Sequence, residues 1–342
     1  MHISRINIKR WNTFKQKKMS YYSLIMFLVF FGMTLFAELI ANDQPLFIST
    51  DNAVYFPIFK EYSELELGGE FEFPADYTDP YLINIIKENN GFIIWPLVQF
   101  HYSSINKNTP TEVPSYPTKE NWLGTDDKGR DVFAVILYGF RLSVLFGFSV
   151  TIISALIGVS LGALQGYYGG WFDLIFQRFM EIWSSMPQLF MLIILVSIIT
   201  PTFFWLMLIT LLFGWMGFVG VVRAEFLRNR NLTYVLAAKA MGMKDSRIIF
   251  KHILPNAMAA TMAMMPFVLA GSITILTSLD FLGFGLPVGS ASLGELLSQA
   301  KANLHAPWIA FASFGSLGLM SILLVFIGEG VRDAFDPRNK IL

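Results

Sequence analysis

Five runs of this 342-residue sequence contain no Asp, Glu, Lys, Arg or His: Met19–Ala37, Leu142–Phe172, Ile182–Val222, Ile253–Leu279 and Ala306–Gly328, of 19, 31, 41, 27 and 23 residues. Inside a bilayer every backbone N–H and C=O must find its partner within the protein, so a span is a helix or part of a closed barrel. These runs are continuously apolar rather than alternating, which selects helices. A crossing takes about 20 residues, so the longest run must hold two helices, and Thr200-Pro201-Thr202 is the natural break between them. The expected fold class is therefore an all-α polytopic membrane protein with six transmembrane helices. A composition that is 54% hydrophobic agrees.

Charge fixes the expected sidedness. Residues 1–20 carry six Lys/Arg and no acid, and Arg228 to Lys251 holds six bases against Asp245 alone. Both segments read as cytoplasmic. Six crossings then return the C-terminus to the same side. A basic stretch before an apolar run could be a signal peptide, but no small-x-small site follows Ala41 in Ala41-Asn42-Asp43-Gln44, so a retained anchor is expected. The expected division is a cytoplasmic segment 1–20, a first helix 21–41, an extracytoplasmic insertion 42–130, a membrane core 131–332 with a cytoplasmic loop 228–255, and a tail 333–342.

The insertion has 14 acids, six bases and eight of the chain's 15 prolines. Its aromatic residues, among them Tyr55, Phe59, Tyr77, Trp95 and Tyr102, and the alternating Glu70-Phe71-Glu72-Phe73 argue against a disordered linker. A small folded cap of mixed, partly irregular structure with short strands and turns is expected.

The cytoplasmic loop Tyr234–Asn256 has small residues at its centre: Ala237, Ala238, Ala240 and Gly242. Such residues let another protein's surface approach the backbone, where a membrane-surface helix would carry bulky apolar residues on one face. A docking helix is one reading; a plain basic connector is the other. Gly242 permits one helix to end, and Asp245 suits the N-cap of a second that stops before Pro255. Elsewhere, Gly158, Gly162 and Gly166 form a small face for helix packing, and Gly214, Gly217 and Gly220 read the same way. Arg178 and Glu181 can pair three residues apart, and Pro187 should bend its helix.

Several chemistries are excluded. Zero cysteines removes disulfides and thiolate chemistry, and four scattered histidines (His2, His101, His252, His305) suggest no metal site. No phosphate loop, HExxH or GxSxG motif occurs, so no catalytic residue is assigned. Nothing points to nucleic acid. Charge-free span centres disfavour a secondary transporter or channel, which usually needs buried ionisable groups. A membrane enzyme built on Asp280, Glu295 and His305 is the remaining rival. For a pump, the energy would come from another subunit. A translocation path for polar solutes should be uncharged and hydroxylated, as Ser272, Thr274, Thr277 and Ser278 are; alternatively these hydroxyls bond back to their own helix.

Four segments together resemble the permease subunits of ATP-binding-cassette peptide importers, the dipeptide/oligopeptide family. They are Trp122-Leu123-Gly124-Thr125-Asp126 with Gly129-Arg130-Asp131 and Arg141-Leu142-Ser143; Ala237, Ala238, Gly242, Leu254 and Pro255 of an EAA-like coupling motif; Phe281-Leu282-Gly283-Phe284-Gly285; and Gly328 to Arg338. The resemblance covers about Asn121 to Arg338. The motif's leading Glu is Leu236 here, so the docking surface would rest on shape and Lys239. The long insertion, with Thr277–Phe281 and Ser292–Leu297, looks most like the Yej branch associated with oligopeptides and microcin C. What this implies is a bacterial inner-membrane subunit working with a second permease, cytoplasmic ATPases that bind ATP and Mg, an extracytoplasmic peptide-binding protein, peptide substrate and membrane lipid. Coupling would run through Ala237, Ala238, Lys239, Gly242 and Asp245, with no cofactor on this chain.

Overall fold

The computed structural model describes residues 5–50 and 53–336. In chain order, α1 (Arg5–Gln16), α2 (Lys18–Leu35) and the short α3 (Ala37–Ile40) lead into β1 (Phe47–Ser49), β2 (Val54–Tyr55), α4 (Pro80–Glu88) and β3 (Phe92–Ile94). Ten further α-helices follow among the described residues: α5 (Val132–Tyr168), α6 (Gly170–Ser184), α7 (Gln188–Ile198), α8 (Phe203–Gly214), α9 (Met216–Asn229), α10 (Thr233–Ala240), α11 (Asp245–Ile248), α12 (Leu254–Phe281), α13 (Leu293–Ala302) and α14 (Pro307–Phe335), with a π-helical turn (Ile249–Ile253) joining α11 to α12. Five stretches among the described residues are long and apolar enough to cross a membrane, and six if the bent pair α6–α7 is one span.

The boundaries follow caps more than hydropathy. α5 begins ten residues before its charge-free run because Asp131 accepts a hydrogen bond from the Ala134 amide at 2.7 Å, an N-cap that nucleates the helix outside the apolar stretch. Residues 199–202 are non-helical, as Pro201 requires, and Thr202 caps α8 through the Trp205 amide. Pro187 sits at the break where α6 and α7 bend by 74°, and Arg178 pairs with Glu181 at 2.5 Å.

Contacts divide the chain into two units: Met1–Val29, Ser143–Pro287 and Leu317–Leu342 in one, Phe30–Leu142 with Val288–Ser316 in the other. The second therefore includes α13, which the expected boundaries assign to the membrane core. The reason is ionic. Asp126, fully buried, accepts from the Arg130 amide (2.8 Å) and Nε (2.7 Å), Gln299 Nε2 reaches the same carboxylate at 3.3 Å, and Glu295 pairs with Arg130 (3.3 Å) and Lys128. Burial pushes the Asp131 carboxyl up, opposed by hydrogen bonds from Asn121 and Ala134. Burial raises Asp127 too, with the Asp126 charge adding to it.

The insertion folds as a cap with its own core. An antiparallel sheet of order β2-β1-β3 places Ile48 opposite Tyr55 and Ile93, and Ile48 packs with Leu67, Tyr77, Leu82 and Ile86. Leu82 and Ile86 lie one turn apart on α4, which Asp79 caps at the Tyr81 amide (2.9 Å) before Pro80. Desolvation lifts the Tyr77 phenol to about 12. The alternation at Glu70–Phe73 does not form a strand: Phe71 and Phe73 are exposed, and their carbonyls accept from Leu65 and Glu64. The segment 62–65 runs antiparallel beside it through a single bridge, Ser63 to Pro74, which pairs backbone but leaves both rings uncovered.

In the first unit, Gly158, Gly162 and Gly166 bring α5 against α9. A Cβ on Gly158 would lie 2.6 Å from the Trp215 carbonyl oxygen, on Gly162 2.8 Å from that of Val219, and on Gly166 2.7 Å from that of Arg223. Of the second glycine set only Gly214 is packed; Gly217 meets one methionine methyl at 3.9 Å and Gly220 nothing within 4 Å. Within this chain, then, Gly214 alone of the three packs closely against a neighbour.

Candidate functional site: the cytoplasmic turn and the helix that follows it

The loop expected to dock a partner is two helices folded onto the chain's own core. α10 ends in a reciprocal pair of hydrogen bonds, Gly242 N–H to Lys239 O (2.9 Å) and Met243 N–H to Ala238 O (3.1 Å), with Gly242 at φ +74°. This is the Schellman arrangement, and a left-handed residue is what it needs. The reversal lays Val235 and Ala238 of α10 beside Ile248, Ile249 and Ile253, and all of them against Ala163, Tyr167, Val222 and Phe226.

Two details differ from expectation. Asp245 opens α11, but its carboxylate accepts a hydrogen bond from the Tyr167 hydroxyl instead of capping. The second helix does not stop before Pro255: α11, the π turn and α12 run on continuously to Phe281. Widening the spiral at Ile249–Ile253 accommodates the residue that would break a regular helix. The loop is thus an extension of the fifth span itself.

Of the five coupling candidates, Ala237, Lys239, Gly242 and Asp245 are exposed, while Ala238 is 2% exposed and faces the chain's interior. Lys239 Nζ lies 4.9 Å from the Tyr167 ring centroid, so Tyr167 at the end of α5 joins Lys239 and Asp245 in one cluster. Arg230 reaches the Gly166 and Tyr167 carbonyls at 3.3 and 3.4 Å, a cation at a helix C-terminus. Arg223 clamps Asp173 through two bonds of 2.6 and 2.7 Å. The same turn exposes large apolar side chains: Leu236 (50%), Met241 (75%) and Phe250 (69%). None of these three is among the five candidates read from the sequence. The available signal was that these three fall off the face defined by Val235, Ala238 and Ile248.

The four path candidates divide in the same way. All bond back to carbonyls one turn earlier: Ser272 to Val268, Thr274 to Ala270, Thr277 to Ile273 and Ser278 to Thr274, at 2.8–2.9 Å. Ser272 and Thr277 are buried within the chain; Thr274 is exposed and Ser278 half-buried. α12 then ends in a second Schellman turn, Gly283 N–H to Asp280 O (3.0 Å) and Phe284 N–H to Leu279 O (2.8 Å), with Gly283 at φ +80°.

The remaining motifs are architectural. Gly124 (φ +73°) has the Ser115 carbonyl and the Trp308 ring where a Cβ would be, both at 2.7 Å. Near the C-terminus, Gly328 lies under the Phe267 ring, and Glu329 and Asp333 flank Lys17 at 3.7 and 2.6 Å; Pro337 and Arg338 lie outside the described residues. Glu295 is held by Lys128 and Arg130, and the Leu286 amide donates to Asp280, so both carboxylates of the enzyme reading are engaged structurally. Among the described residues no group of three metal-ligating side chains converges.

Comparison with known proteins agrees. Residues 154–341 match the family described as "Binding-protein-dependent transport system inner membrane component". The chain is 55% identical to the inner membrane ABC transporter permease protein YejE of Escherichia coli K12, over 99% of both chains. It is 49% identical to the peptidoglycan transport system permease protein YejE of Agrobacterium fabrum, over 97% of this chain and 93% of that one. It is 34% identical to the oligopeptide transport system permease protein OppC of Bacillus subtilis, over 71% and 79%. A chain with this helical membrane architecture, and with its cytoplasmic turn folded onto the ends of its spans, belongs to the inner-membrane permease components of binding-protein-dependent ABC transporters, subunits that are not themselves enzymes and that work with a separate ATPase and binding protein.

Proposed function

We propose that this permease moves oligopeptides or peptidoglycan-derived peptides into the cytosol, paired with a second, homologous permease and driven by ATP and Mg bound on the partner ATPases. Relatives named for oligopeptide and peptidoglycan transport support the substrate class. The observation that carries the mechanism is the continuity of α11, the π turn and α12. A partner that displaces the turn pushes on a span directly, and the Tyr167 contacts with Asp245 and Lys239 pass the movement to α5. Leu236, Met241 and Phe250 supply apolar contact and Lys239 a cation, replacing the missing motif carboxylate.

Thr274 and Ser278 are the path positions retained, because their side of α12 is open where Ser272 and Thr277 are covered. Hydroxyls already bonded to their own helix offer lone pairs to a passing peptide without holding it tightly. The cap, with its acidic excess, steers delivery from the binding protein.

The deciding experiment is ATP hydrolysis by the reconstituted complex, with and without binding protein and peptide. Stimulation requiring both supports the reading; stimulation by inorganic ions or sugars in place of peptide would falsify the substrate class. Sidedness is tested by single cysteines at Ser49 and Lys244 in this cysteine-free chain. They should label from opposite faces.

A further inference from the structure

A groove of about 420 Å³ lies between α1 and the ends of α2, α12 and α14. Trp11, Phe14, Met258 and Met262 line it, and among the described residues of its lining only Asn7 and Arg10 carry an amide or a charge. Leu24, Met262 and Ile327, also in the lining, belong to three of the charge-free runs, so the groove opens at hydrocarbon depth near the side that carries the basic loop. Two cations stand at its edge, Arg10 4.3 Å over the Phe335 ring and Lys15 Nζ 5.3 Å from the Trp11 ring, whereas Glu329 and Asp333 are engaged by Lys17.

We propose that this groove is a binding site for one acidic phospholipid of the cytoplasmic leaflet, its acyl chain between Trp11 and the two methionines and its phosphate at Arg10 and Asn7. The apolar lining and its position favour an acyl chain over a protein segment, since lipid is the solvent at that depth. Methionine side chains adapt to a disordered chain. The basic rim selects charge: an acidic headgroup gains from each nearby Lys or Arg, while a zwitterionic one brings its own ammonium among them. Trp11, stacked on Phe14 at 5.7 Å and near Tyr21, is placed as aromatic residues are at a membrane interface.

The test uses the assembled transporter in nanodiscs containing phosphatidylglycerol or phosphatidylcholine with brominated acyl chains. The Trp11 signal is the fluorescence difference between wild type and Trp11→Phe. Quenching at least about twofold stronger with brominated phosphatidylglycerol is expected, and Arg10→Ala should bring the two lipids level. Equal quenching in the wild type overturns the proposal in favour of bulk lipid; absence of quenching by either overturns it in favour of a covering subunit. Native mass spectrometry of the unmodified complex from an equimolar mixture needs no variant: retained phosphatidylglycerol supports the site, and retention of neither lipid overturns it. The leaflet named rests on the proposed sidedness, but nanodiscs expose both faces, so a reversed topology leaves this test readable.

Discussion

Gly158, Gly162 and Gly166 on α5 lie against the backbone of α9, whereas Gly217 and Gly220, on α9 itself, have almost no atoms of this chain in front of them. Both sets look alike in sequence. Spacing separates them: four residues advance about 40° past a full turn, so three glycines stay on one face, while three residues fall about 60° short and walk around the helix. A four-residue stripe can therefore be consumed by one neighbour. A three-residue series turns part of itself away from that neighbour, here to where this chain places almost no atoms.

The strongest way to break this comparison is Gly162→Leu against Gly220→Leu. The first forces atoms toward the Val219 carbonyl, 2.8 Å from its Cβ position, and overpacking costs about 1–3 kcal/mol or more. Membrane levels of that variant should fall about tenfold or more, while Gly220→Leu keeps near-normal levels and loses co-purifying second permease. Equal loss in immunoblots of both would mean that the open face is closed in the native chain.

The turn between α10 and α11 sharpens the same point one step down in effect. Ala238→Trp should destabilise the permease itself, because Ala238 packs with Val235, Ile248 and Phe226; Ala237→Trp, on the exposed side, should insert normally and fail to retain the ATPase. Thermal unfolding in detergent and pull-down of the ATPase separate the two, and a folded Ala238→Trp that loses only the ATPase would reverse the assignment. On α12, Thr274→Trp or Ser278→Trp should block peptide uptake in an assembled complex. Ser272→Ala should change uptake little, since its hydroxyl serves only the Val268 carbonyl. Smallest of all is Lys17→Ala. Its pairs with Glu329 and Asp333 are more than a third exposed, so a loss of about 0–1 kcal/mol is expected by calorimetry.

Much of this was legible beforehand because membrane helices obey one dominant rule. Charge-free runs located the spans, Pro201 and Pro187 located a break and a bend, and Gly242 located a helix end, each through local backbone chemistry. Illegible were effects that depend on a distant neighbour. Asp245 was readable as a cap, yet Tyr167, 78 residues away, takes its carboxylate. Phe71 and Phe73 alternate as a strand would, but their neighbour, residues 62–65, forms only an isolated bridge and leaves both rings exposed. Pro255 was readable as a stop, until a π turn absorbed it.

What the sequence determined alone was the class of structure and the sidedness expected of it, because a bilayer penalises unpaired backbone groups and mid-span charge whatever the tertiary arrangement. Which face of each helix is inside was decided only by packing. Ala237 and Ala238 are chemically identical neighbours, and one is exposed while the other is buried; Thr274 and Thr277 divide likewise. A step of about 100° per residue turns adjacent side chains to different surroundings, and what those surroundings are depends on residues far along the chain.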